Sequence, residues 1–93
     1  MTIISEERHI IWVPSQIYII VEHQGQAYQL YARWRWQDPW QVFLSTSTDN
    51  PYDGHTYPLD SKEWKENDNI DELVAYMKEE GEKKLNELFP GSP

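Results

Sequence analysis

Alternation organises the first half of the chain. Gln16-Ile17-Tyr18-Ile19-Ile20-Val21-Glu22 is dense in β-branched and aromatic residues, and Ala27-Tyr28-Gln29-Leu30-Tyr31-Ala32-Arg33-Trp34-Arg35-Trp36 alternates with period two. Both are signatures of strands that turn one face to a core. Between them, His23-Gln24-Gly25-Gln26 accommodates a two-residue turn, with glycine where φ has to be positive. Pairing His23 with Gln26 sets Val21 opposite Tyr28, Ile19 opposite Leu30 and Ile17 opposite Ala32. The apolar faces of the two strands then coincide, which an arbitrary register would not give.

A second turn is expected at Gln37-Asp38-Pro39, where proline after aspartate suits a reversal. Pairing Trp36 with Trp40 places Trp34 opposite Val42 and Ala32 opposite Leu44, and the same face is again apolar. That face carries Ile17, Ile19, Val21, Tyr28, Leu30, Ala32, Trp34, Trp36, Trp40, Val42 and Leu44. A further strand is expected over residues 8–13, ended by Pro14.

The spacing changes in the second half. Residues 46–68 read as a loop rich in Ser, Thr, Asp and Asn, with Pro51 and Pro58, and a short helical turn is plausible over 61–67. From 69 to 89 the period is helical. Asn69 and Glu72 make a capping-box pattern, Asp71 lies near the positive end of the dipole, and Phe89-Pro90-Gly91 stops the helix. Ile70, Leu73, Val74 and Met77 form one stripe, which Gly81, Leu85 and Leu88 roughly continue. The stripe needs a sheet to cover. Gly81 costs about 1 kcal/mol against alanine in a helix, so it implies either a close approach to that sheet or a local break.

The expected architecture is a small two-layer α+β domain over residues 1–93: an antiparallel meander of three to four strands within 8–45, a loop over 46–68, and one C-terminal helix at 69–89 on one face. A chain of this size buries only about 60–65% of its unfolded surface, and its 13 aromatic residues supply the bulk.

Charge sharpens the division. Sixteen Asp and Glu oppose eight Lys and Arg, a net charge of -8, and residues 49–82, with 11 acids and three lysines, account for all of it. This excess excludes a simple polyanion-binding protein. The absence of cysteine excludes a disulfide scaffold, a thiolate zinc site and a thiol nucleophile. The acidic beginning Ser5-Glu6-Glu7 is unlike a signal peptide, and the longest apolar run, residues 17–21, is far short of a membrane span. A soluble, cytoplasmic protein, monomeric or homodimeric, is therefore expected.

No catalytic motif stands out, and neither a cofactor nor a metal is expected. Asp49-Asn50-Pro51-Tyr52-Asp53-Gly54 faintly resembles a calcium loop, but proline occupies a liganding place. His9, His23 and His55 lack paired metal-ligand spacing. His55 with Asp53, near Ser45 or Ser47, could form a nucleophile–base pair, and a pocket of Trp12, Tyr52, Tyr57 and His55 would suit a small-molecule binder or small hydrolase.

Two surfaces are better candidates. The sheet face opposite the core carries Tyr31, Arg33, Arg35 and Phe43, residue types that dominate binding hot spots. The helix carries Glu72, Glu79, Glu80 and Glu82, suited to a basic partner. The leading expectation is a non-catalytic interaction or regulatory protein that binds a protein partner through either surface. An acidic inhibitor that mimics nucleic acid and occupies a nucleic-acid-binding enzyme, in a phage or defence setting, is the sharper alternative. The plain alternative for both surfaces is a solvated face, with Tyr31 and Phe43 packed under residues 46–60.

Overall fold

The computed structural model describes residues 1–10 and 14–91. Strands β1 (Thr2–His9), β2 (Ser15–His23), β3 (Gln26–Trp34), β4 (Gln41–Ser45) and β5 (Thr56–Pro58) pair antiparallel in sequence order, and helix α1 (Ile70–Leu88) follows. Among the described residues this is a five-stranded meander with one helix across a face, a small α+β domain with more sheet than the pattern implies.

The β2–β3 register is the expected one, from His23↔Gln26 through Val21↔Tyr28 to Ile17↔Ala32. Gln24 and Gly25 both have positive φ, +56° and +75°, the backbone of a tight hairpin turn that matches strand twist. The β3–β4 register differs. Ala32 pairs with Val42 and Leu30 with Leu44, two residues from the expected pairing. A two-residue slip keeps every side chain on its face, so the core survives it, but Trp36 leaves the ladder. Its φ of +56° turns the chain out of the strand. Trp36, expected on the core face, is 67% exposed, whereas Trp34 is 9% exposed and Trp40 is also buried.

The first strand also lies elsewhere. It spans Thr2–His9 rather than 8–13, is exposed along its length and pairs with β2. Residues 11–13 of the expected strand lie outside the described residues. β5 falls within the expected loop, pairing Leu44 with Tyr57 and Phe43 with Pro58. Three residues ending in proline give no periodic signal, and a strand edge is where proline is tolerated.

α1 begins as the capping pattern implies: the Asn69 side chain accepts from the Glu72 amide at 3.1 Å. Its buried stripe is Leu73, Val74, Met77, Gly81 and Leu85. These side chains cover Ile17, Ile19, Val21, Leu30, Ala32 and Leu44, all sealed from solvent. The helix runs unbroken through Gly81, and a Cβ there would sit 2.5 Å from Leu30 Cδ2. Close approach, not a helix break, explains that glycine.

Candidate protein-interaction site

The sheet face away from α1 is not open. Tyr31 and Phe43, expected on a contact surface, are 1% and 9% exposed. The connection over 46–55 folds back over them. Thr46 and His55 clasp its ends, the Thr46 amide donating to the His55 carbonyl and the His55 amide to Thr46 Oγ1. Gln29 Nε2 donates to the Ser47 carbonyl. Tyr52 closes the cluster, its ring centroid 5.6 Å from that of Tyr31 and 5.4 Å from that of Phe43. Burial pushes the Tyr31 hydroxyl up to about 12, against the opposing effect of the hydrogen bond that Gln16 Nε2 donates to it at 3.0 Å.

Arg33 and Arg35 have a different fate. β3 places Arg33 at the margin of the aromatic cluster, half-buried, where Nη1 donates to Tyr52 Oη at 2.9 Å. Its Nε is buried without an acceptor, a situation that costs about 1–3 kcal/mol unless satisfied. Arg35 is exposed, just past the end of β3. The two arginines line a cleft of about 540 Å³ together with Gln37, Asp38, Pro39 and Gln41. Among the described residues neither guanidinium pairs with a carboxylate.

The connection over 35–40 that forms this cleft is held from beneath. Trp34 Nε1 donates to Asp38 Oδ1 at 2.9 Å, and the Glu66 amide donates to the same oxygen at 2.8 Å. The Trp34 bond first, and the Glu66 amide second, hold the Asp38 carboxyl below its ordinary range. The Trp40 amide donates to the Trp64 carbonyl at 2.7 Å, and the Asp38–Pro39 peptide is cis. Trp36 projects from this anchored connection. A left-handed backbone is uncommon for a bulky residue, and such conformations cluster where function requires them.

The helical acids are partly spoken for. Asp71 accepts from Arg8 at 2.6 Å, Glu79 and Glu80 each lie 3.4 Å from Lys83, and Glu87 lies 3.8 Å from Lys84. Glu72 serves the cap through its amide, and Glu82 is exposed. Around the expected His55–Asp53 pair, Ser45 is fully buried and accepts from the Ser47 amide, while His55 and Asp53 are exposed. Trp12 lies outside the described residues, and Tyr57 leans edge-on towards Phe89. Among the described residues no group of His, Asp and Glu is arranged to hold a metal ion, and no helix is long and apolar enough to cross a membrane.

Arg33 and Arg35, singled out in the sequence, both line the cleft; Trp36 and Asp38, in the same connection, are not singled out by it. The available signal was Asp38-Pro39 between two tryptophans, which marks a turn but not its length. No protein-family model, curated protein or solved structure matches the chain.

Proposed function

We propose that the chain is a non-catalytic interaction protein that binds a protein partner through the β3–β4 connection, with Trp36 as anchor and Arg33 and Arg35 beside it. The observation that carries this reading is Trp36: a tryptophan 67% exposed, at φ +56°, on a connection fixed by hydrogen bonds to the segment beneath it. Tryptophan and arginine dominate binding hot spots, and a residue on a connection whose backbone is already anchored has less freedom to lose on binding. The reading moves the contact from the sheet face to its end, because Tyr31 and Phe43 are covered.

The acid-rich helix supports the nucleic-acid-mimicking inhibitor less well, since Asp71, Glu79, Glu80 and Glu87 already face cations of the same chain. Partner capture by three forms of the chain tests the choice: wild type, Trp36→Ser, and charge reversal at Glu79, Glu80 and Glu82. We expect Trp36→Ser to weaken capture at least tenfold, about 1.4 kcal/mol, and the helix variant to retain it. Capture that survives Trp36→Ser and fails on charge reversal transfers the function to the helix.

A further inference from the structure

Building on the interaction reading, we propose that the Arg33–Arg35 cleft is a carboxylate-binding site. It takes a single carboxylate from the partner's segment, with an apolar neighbour of that carboxylate packed on Trp36.

The first support is a pattern of pairing. In a chain with twice as many acids as bases, Arg8, Lys78, Lys83 and Lys84 have carboxylate partners; Lys62 and Lys65 have none among the described residues, Lys62 lying instead over the Trp64 ring, 3.9 Å from its centroid. Arg33 and Arg35 have none among the described residues, although they share one cleft. The acid that lines the same cleft, Asp38, spends Oδ1 on Trp34 and on the Glu66 amide. Arg33 carries five N–H donors in a planar fork, and one of them meets the neutral oxygen of Tyr52 while Nε meets nothing. Nε is sealed from solvent, so an entering oxyanion accepts its two bonds from the outer N–H groups of Arg33 and Arg35.

The second support is the local charge. Arg33 and Arg35 against an ionised Asp38 leave the cleft one positive charge. That balances a carboxylate and falls short of a phosphate dianion, which would also meet the field of a chain with net charge -8. The amides of Gln37 and Gln41 flank the arginines and can both donate to and accept from a peptide backbone. The cleft volume, about 540 Å³, is in the range of sites that hold small ligands.

The test uses the full isotope-labelled chain, following the Arg33 Nε–H and Trp36 indole resonances. The probes are N-acetyl-phenylalanine, its neutral amide, acetyl-Phe-Glu-amide and inorganic phosphate. We expect saturable shifts with at least one of the two carboxylate probes; the tighter one distinguishes a chain terminus from an acidic side chain as the source. The neutral amide and phosphate should bind about tenfold more weakly, and Arg33→Gln and Arg35→Gln should each weaken the better probe about tenfold. Arg35 is exposed, so its variant keeps the test intact if Arg33→Gln fails to fold. Arg33→Lys, which keeps charge but loses the fork, should lose several-fold. The proposal is overturned if the neutral amide binds as well as the acid, if phosphate binds tighter than both carboxylates, or if Arg35→Gln leaves affinity unchanged. Partner capture lost in Trp36→Ser but intact in Arg35→Gln removes the carboxylate site and keeps the interaction reading. Tight carboxylate binding with capture indifferent to Trp36 does the reverse.

Discussion

At the scale of single residues, environment separates groups of the same kind. Tyr31 and Tyr52 touch, yet one is sealed and the other half-exposed. With its hydroxyl raised from 10.0 to about 12, Tyr31 stays neutral in the folded chain where it would ionise in the unfolded one. The stability this confers is complete below pH 10 and is lost as pH rises towards 12. Ultraviolet titration should show one tyrosine ionising only in that window, together with unfolding, and Tyr31→Phe should remove that step. Asp38 has the opposite sign. Its carboxyl is lowered by Trp34 and Glu66, so its contribution is present above the ordinary carboxylate range and fades as pH falls through the lowered value. Asp38→Asn should loosen the 35–40 connection at neutral pH, seen as faster amide exchange at Glu66 and Trp40, while leaving the core amides of β2 and β3 protected. Uniform loss of protection would show that Asp38 supports the whole fold instead.

At the scale of elements, legibility follows the period. The β2–β3 hairpin could be read because its turn chemistry and its apolar alternation demand the same register, and the helix because Asn69, Glu72 and the stripe from Leu73 to Leu85 agree. The β3–β4 connection could not. Either of two registers related by two residues keeps Leu30, Ala32, Val42 and Leu44 inside, so pattern alone does not choose between them. The choice falls to Trp34 and Asp38, a side-chain bond invisible in sequence, and to a backbone angle at Trp36 that no propensity for tryptophan implies. The covering of Tyr31 and Phe43 leaves little trace in the sequence, because loop residues carry no period to show where they fold. Gly81 belongs at this scale as well. Gly81→Ala would gain about 1 kcal/mol in helix propensity but drives a methyl group into Leu30, and overpacking costs about 1–3 kcal/mol. We expect net destabilisation of about 1 kcal/mol, hence a Tm roughly 4–8 °C lower. Adding Leu30→Val should recover part of the loss, and strict additivity in that cycle would refute the contact. Asn69→Ala should cost about 1 kcal/mol through the lost cap, without coupling to either.

At the scale of the molecule, one face of the meander is covered by α1 and the other by the 46–55 connection, which leaves β1 the least covered strand. Beyond its ladder with β2, it is tied to the helix by ion pairs, Glu6 to Lys78 at 2.8 Å and Arg8 to Asp71 at 2.6 Å. The Lys78 bond, aided by Arg8, lowers the Glu6 carboxyl, so this tie weakens as pH falls through that lowered value. Such partly exposed pairs are worth less than about 1 kcal/mol and are screened by salt. Glu6→Gln should therefore cost a fraction of a kcal/mol at low ionic strength and nothing measurable in molar salt. A loss that persists in high salt would mean that Glu6 supports β1 by packing.

The helix that shuts the core follows the entire sheet in the chain. During translation, the ladder down to Pro58 is synthesised thirty residues before Leu88 completes its cover. At roughly 5–20 residues per second, the last strand is made roughly 2–6 s before its cover is complete. Until α1 docks, the row from Ile17 to Leu44 has no cover of its own, and that is the stage at which a chaperone or a second copy would meet it first.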